Sequence, residues 1–224
     1  MRDYISQKVN ETLSDFNFRG VNVVFDDELP ENVDIKSVLK FIEKNIPRYC
    51  YSDLRQIRVG HREEFKDREI SAIYRDDTLF ITNKQKNMTD LLDDMIHEIA
   101  HHVEEKFPEH IYGDGLIKRE FLKKRKQLEF ELRSEGYWTT DYNFDEIKFS
   151  REFDEFLYNR IGKEMLNMVT TGIFIRPYGA VSIREYFATG FESYYLNTEK
   201  RDSLFNISPD LYDKIDSLDK KFKH

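Results

Sequence analysis

Two histidines four residues apart, with a glutamate beside the first, give this chain its most chemically suggestive stretch: His97-Glu98-Ile99-Ala100-His101. On a helix, positions i and i+4 share a face, so His97 and His101 can close on a single metal ion. Neutral imidazoles suit zinc (Zn2+), and Glu98 is placed to take a proton from a water at the metal's open position. The competing reading is a surface or internally satisfied histidine pair. Three of the chain's six histidines, His97, His101 and His102, fall within the stretch Asp90–Glu104 around this motif, which favours the metal. Zinc hydrolases of this type need a third protein ligand, to be found elsewhere.

The spacing of apolar residues predicts the helix that must carry the pair. Leu91, Leu92, Met95, Ile96, Ile99, Ala100 and Val103 recur every three or four residues without Pro or Gly. Thr89 or Asn87 can cap its start, and Pro108 ends the run. Ahead of it the sequence predicts a helix over Asp3–Phe16, a strand over Val21–Phe25, a helix over Asp34–Asn45 and a strand over Leu54–Val59. A hairpin follows, Ile70–Tyr74 and Thr78–Thr82 around Arg75-Asp76-Asp77. This order describes a small mixed sheet with helices packed on it, an α+β fold. If the hairpin is a sheet edge beside the metal, its backbone could receive an extended peptide by strand addition. The alternative is a plain structural hairpin.

Beyond Gly113 and Gly115, the expected lobe boundary, the pattern turns helical. Helices are expected over Leu116–Glu135, Phe144–Val169, Ser182–Leu196 and Pro209–Phe222, with Thr170–Gly179 a non-helical crossing. One domain over 1–224 is the simplest organisation, with an N-terminal lobe of about 1–112 and a helical lobe of about 113–224. The basic run Lys118–Lys126, spaced with Glu120, Glu129, Glu131 and Glu135, reads as a solvated helix face.

Downstream acids that could supply the third ligand are Glu146, Glu152, Asp154, Glu155, Glu164, Glu185 and Glu192. His102 lies about 100° round the helix from His101 and cannot share its ion, and His110 would need a sharp turn. Glu185 stands out because Tyr186, Phe187, Ala188 and Phe191 leave its carboxylate poorly solvated and in want of a cation. Ser182-x-x-Glu185 also fits a capping box, so that Glu185 as ligand and Glu185 as cap both stand.

Tyr178, then Glu185-Tyr186-Phe187-Ala188 seven residues on, combine with the His-Glu-x-x-His motif and Val103-Glu104 in a familiar order. The sequence resembles the zinc metallopeptidases typified by the catalytic domain of anthrax lethal factor, with the secreted Pro-Pro endopeptidases as relatives. The resemblance covers 78–107 and 178–218. It implies a zincin-like fold, with an active-site helix in the N-terminal lobe, and His97, His101 and Glu185 as zinc ligands. It also implies Glu98 as general base and Tyr178 as the oxyanion donor, although core packing after Pro177 would equally explain Tyr178. Glu104 is either a partner of the ligands or a surface acid. The chain departs from the relatives in a longer gap between His101 and Glu185, which implies an insertion within 113–171. It also has Thr189 where the relatives commonly carry an acid, with Glu192 a conceivable substitute.

Composition narrows the alternatives. With 224 residues, 39% of them hydrophobic and 14% aromatic, the chain can bury a core, while 35% charged residues give a polar surface. A net charge of −8 argues against nonspecific nucleic-acid binding. A single cysteine, Cys50, excludes an internal disulfide. No stretch is apolar enough for a membrane span, and the first residues lack the apolar centre of a signal peptide, so synthesis into a cytoplasm is expected. The leading expectation is a zinc endopeptidase acting on a protein or peptide substrate, with no nucleic-acid or membrane partner. The alternative is a non-catalytic binding or structural protein on the same scaffold, such as a phage-particle component.

Overall fold

The computed structural model describes residues 15–68 and 70–222. Most of the helix expected over 3–16 therefore lies outside the described residues, and Phe16 instead opens a strand. Phe16–Phe18 (β1) and Val21–Phe25 (β2) form an antiparallel hairpin. The hairpin turns through Arg19 and Gly20 at φ 51° and 105°, a region that Gly occupies without strain. Ile35–Asn45 (α1) follows, capped by Asp34, whose side chain accepts from the Lys36 N–H. Its buried stripe, Ile35, Val38, Leu39 and Ile42, has the helical spacing read from the sequence.

Gln56–Val59 (β3) returns parallel to β2, pairing Ile57 with Val23. After a short helix, Glu63–Arg68 (α2), come Ala72–Arg75 (β4) and Thr78–Ile81 (β5). β5 runs parallel to β3 and antiparallel to β4, which gives the sheet order β1-β2-β3-β5-β4 and makes β4 an edge. The β4–β5 turn holds Asp76 and Asp77 at φ 51° and 55°, a pattern of tight type I′ hairpins that Asp tolerates. Val21, Val23, Ile57, Val59, Leu79 and Ile81, each at most 2% exposed, form the sheet's buried face.

Met88–Lys106 (α3) carries the histidine motif. Asn87 caps it, accepting from the Asp90 N–H at 2.9 Å. Leu91, Met95, Ile96, Ile99, Ala100 and Val103 are buried, as the apolar spacing required. The chain divides into two compact units after Val103, within α3, and the second runs over Glu104–Phe222.

That second unit is helical. Pro108–Tyr112 (α4) begins at the proline, which fits the first helical turn. Leu116–Ser134 (α5) matches the expected long helix. The single helix expected over 144–169 is instead broken into Arg151–Glu155 (α6), a π-helical turn Phe156–Ile161, and Lys163–Thr170 (α7). Two causes are visible. The carbonyls of Asn143, Glu146 and Ile147 accept from Arg125 and from the Ile183 N–H, so residues 143–147 are tied to partners outside any local helix. Gly162, at φ 81°, then separates the π turn from α7.

A 3-10 turn over Pro177–Ala180 leads into Ile183–Leu196 (α8), followed by Thr198–Ile207 (α9) and Pro209–Phe222 (α10). α8 is the centre of this unit, since every residue from Tyr186 to Tyr195 is buried. Gly190 admits α10, because a Cβ there would fall 2.3 Å from the Leu211 side chain. None of the described helices is long and apolar enough to cross a membrane.

Candidate functional site

One turn of α3 brings His97 and His101 together, with ring centroids 5.0 Å apart and planes at 83°. His101 is 8% exposed and His97 half-buried. Glu98, also 8% exposed, turns to the sheet edge, where its Oε2 accepts from the Tyr74 N–H at 2.6 Å. Tyr74 is on β4, so an edge donor that an added strand could have used is already engaged by Glu98. His102 is fully buried, and its Nδ1 lies 3.1 Å from the Tyr74 hydroxyl and 3.5 Å from Asp77 Oδ1. It fastens α3 to the hairpin, which agrees with its exclusion as a ligand.

Asp94, one turn before Glu98, went unremarked in the sequence. Burial pushes its carboxyl up to about 6, against the hydrogen bond from Gln85 Nε2 at 3.0 Å, and the Glu98 charge adds to the rise. Its signal was only an acid among apolar neighbours, shared with Asp90 and Asp93.

In the second unit, Ser182 caps α8 by accepting from the Glu185 N–H at 3.3 Å. Glu185 is half-buried, and its charge is felt nearby. Burial and then Glu185 raise the Asp154 carboxyl above its usual range. Burial, Asp154 and Glu185 together hold the Tyr158 phenol well protonated. The Tyr158 ring lies 6.2 Å from that of Tyr178, which comes from the 3-10 turn. Asp154 and Tyr158, at the junction of α6 and the π turn, are thus site neighbours that sequence reasoning did not select as a pair. The broken helix that presents them was invisible to periodicity. π turns recur at functional sites in proteins generally.

The acids weighed at the sequence level separate clearly. Glu104 is no surface acid: it is 6% exposed, accepting from Tyr112 Oη at 2.6 Å and from Arg184 Nε at 2.8 Å. Arg184 is the neighbour of Glu185 in the chain, so Glu104 helps to hold the start of α8. Glu192 is 1% exposed and ion-paired with Arg176 at 2.5 Å. Thr189 donates to the Glu185 carbonyl at 2.9 Å. A Cβ on Gly179 would come within 2.8 Å of the Thr189 hydroxyl, so the turn and α8 are in close contact and a longer side chain at 189 would be crowded. His110 is 2.6 Å from Lys221 Nζ and stacks edge-on to Phe107 and Phe222, away from any metal role.

The basic run on α5 is the plainest correction. Glu120, Lys124 and Arg125, read as part of a solvated face, are buried at 9%, 8% and 1% exposure.

The model of the family described as anthrax toxin lethal factor, N- and C-terminal domain, matches residues 52–218. The chain belongs to this family. The match takes in α3, Tyr178 and Glu185, and it leaves β1, β2 and α1 outside. No curated protein and no solved structure matches the chain.

Proposed function

We propose that this lethal factor-family chain is a zinc-dependent endopeptidase of zincin-like fold, with His97, His101 and Glu185 as metal ligands. The observation that carries this reading is the imidazole pair one turn apart on α3 with Glu98 beside it, in a chain of this family. The donor chemistry supports it further: two imidazole nitrogens and one carboxylate oxygen, one atom per residue, are a set that could hold a metal ion. The electrostatics of the second unit fit as well, since a divalent cation on Glu185 would offset the negative charge that adds to burial in raising Asp154 and Tyr158.

Bound zinc supplies Lewis acidity, lowering the pKa of a water toward about 7 and polarising a carbonyl. The chain's own groups do the proton work. With Oε2 of Glu98 held by the Tyr74 N–H, Oε1 is the oxygen that accepts the proton of the attacking water. Glu98 then passes that proton to the leaving amine. The Tyr178 hydroxyl donates to the oxygen on which negative charge develops. Tyr178→Phe is expected to lower kcat by about 10²-fold and to leave zinc content unchanged.

The test is cleavage of a diverse peptide library by zinc-loaded protein, with and without a chelator, beside Glu98→Gln. Chelator-sensitive cleavage that Glu98→Gln abolishes supports the reading. A folded, zinc-loaded protein that cleaves nothing would return the chain to the alternative of a binding scaffold.

A further inference from the structure

The three buried charges of α5 each end on groups distant in sequence. Glu120 accepts from the Tyr186 hydroxyl at 2.7 Å and from the Asp210 and Leu211 N–H groups at 3.2 and 3.1 Å, capping α10. Lys124 donates to the Ile173 and Ile207 carbonyls, each at 2.6 Å. Arg125 goes elsewhere. Its Nη1 donates to the Ala180 carbonyl and, at 3.3 Å, to that of Val181. Its Nη2 donates to Asn143 and Glu146 carbonyls at 3.2 and 3.3 Å. The Phe153 ring covers the guanidinium at 3.7 Å.

One planar fork therefore joins two pieces of irregular backbone, residues 143–146 and residues 180–181. Only a guanidinium offers several donors in so fixed a geometry. The second piece is the short link between Tyr178 and the cap Ser182, one turn before Glu185. The Ile183 N–H adds a bond to the Ile147 carbonyl at 2.9 Å, so the start of α8 leans on the same loop. Burial draws the Arg125 pKa down to about 10, which still leaves the group charged at neutral pH.

We propose that Arg125 is a positioning residue for Glu185 and Tyr178, fixing the turn from which both are presented. The segment between the two motif halves then sets the geometry of the site and is more than a surface addition. This inference rests on the zinc reading. It predicts that Arg125→Met weakens zinc binding by roughly 10- to 100-fold, as loss of a ligand's supporting contacts does elsewhere. Lys124→Met, which removes another buried cation, tied to other carbonyls, changes zinc affinity less than about threefold.

The experiment is a zinc titration of the metal-free full chain by competition with a chromogenic chelator, with thermal unfolding recorded on each sample. Wild type, Glu185→Ala, Arg125→Met, Lys124→Met and the double variant Arg125→Met/Glu185→Ala are compared. The double variant should bind zinc no more weakly than Glu185→Ala alone, because Arg125 acts through Glu185. Should Arg125→Met fail to fold, Arg125→Lys takes its place. Lysine keeps the charge but cannot reach both backbone pieces, so roughly a tenfold weakening is expected. A folded Arg125 variant with wild-type zinc affinity, or with no greater loss than Lys124→Met, overturns the proposal while leaving the zinc reading intact. Equal binding by wild type and Glu185→Ala overturns both.

Discussion

α3 and α5 are both 19-residue helices rich in charge, and they disclose their roles in opposite ways. On α3 the candidate ligands are neighbours along one face, so spacing alone brings His97 and His101 together. On α5 the groups that matter look like ordinary surface charges, because what buries them comes from far along the chain. Arg125 meets Ala180 from 55 residues away and Glu120 meets Leu211 from 91. Local chemistry is readable from a sequence when its partners are local. A buried ion whose partners are backbone carbonyls leaves no mark in residue types.

The largest effect that would break this contrast is at the centre of α3. Glu98→Gln should lower kcat by about 10²–10⁴-fold while zinc content and unfolding temperature stay near those of the wild type. A variant of ordinary activity would remove α3's claim to chemistry. Next comes α5 itself. Arg125→Met should cost about 3 kcal/mol of stability through carbonyls left without donors, measured by denaturant unfolding. Lys126→Met, one residue on, should shift it by no more than about 0.5 kcal/mol, because Lys126 is 66% exposed in its ion pair with Asp145. Similar losses at the two positions would erase the distinction between buried and solvated charge.

The smallest effect sharpens the comparison by showing a hidden charge on α3 too. The Asp94 carboxyl is raised from 3.8 to about 6 in the folded protein, so folding favours its protonated form. Its contribution is fully present below pH 3.8 and is lost as the pH rises to about 6. In metal-free protein, Asp94→Asn should therefore stabilise the fold at pH 7 by roughly 1–3 kcal/mol, with little gain at pH 3.5. Unfolding curves at the two pH values decide it, and a loss at pH 7 would contradict the assignment.

Much of the frame was legible for physical reasons that can be named. The alternation in Val21–Phe25, the i, i+3, i+4 stripe of α1 and the apolar run of α8 each record burial on one local surface. The break of the helix expected over 144–169 was not legible, because it depends on Arg125 and Ile183 drawing away carbonyls that a helix would use. α9 was missed as well: Leu204 is its one buried residue, so it has no stripe, and its start is set by Asn197 capping the Lys200 N–H. Among the candidate site residues, His97, Glu98 and His101 follow from spacing and Glu185 from its apolar neighbours, while the proposed roles of Glu185 and Tyr178 needed the family resemblance. Asp154, Tyr158 and Arg125 needed the fold.

The claim on which the rest depends is that Glu185 completes a zinc site with His97 and His101. Metal analysis of purified wild-type protein beside Glu185→Ala tests it most directly. The account predicts about one zinc per wild-type chain and a large loss in the variant. Equal zinc in the two proteins would contradict it.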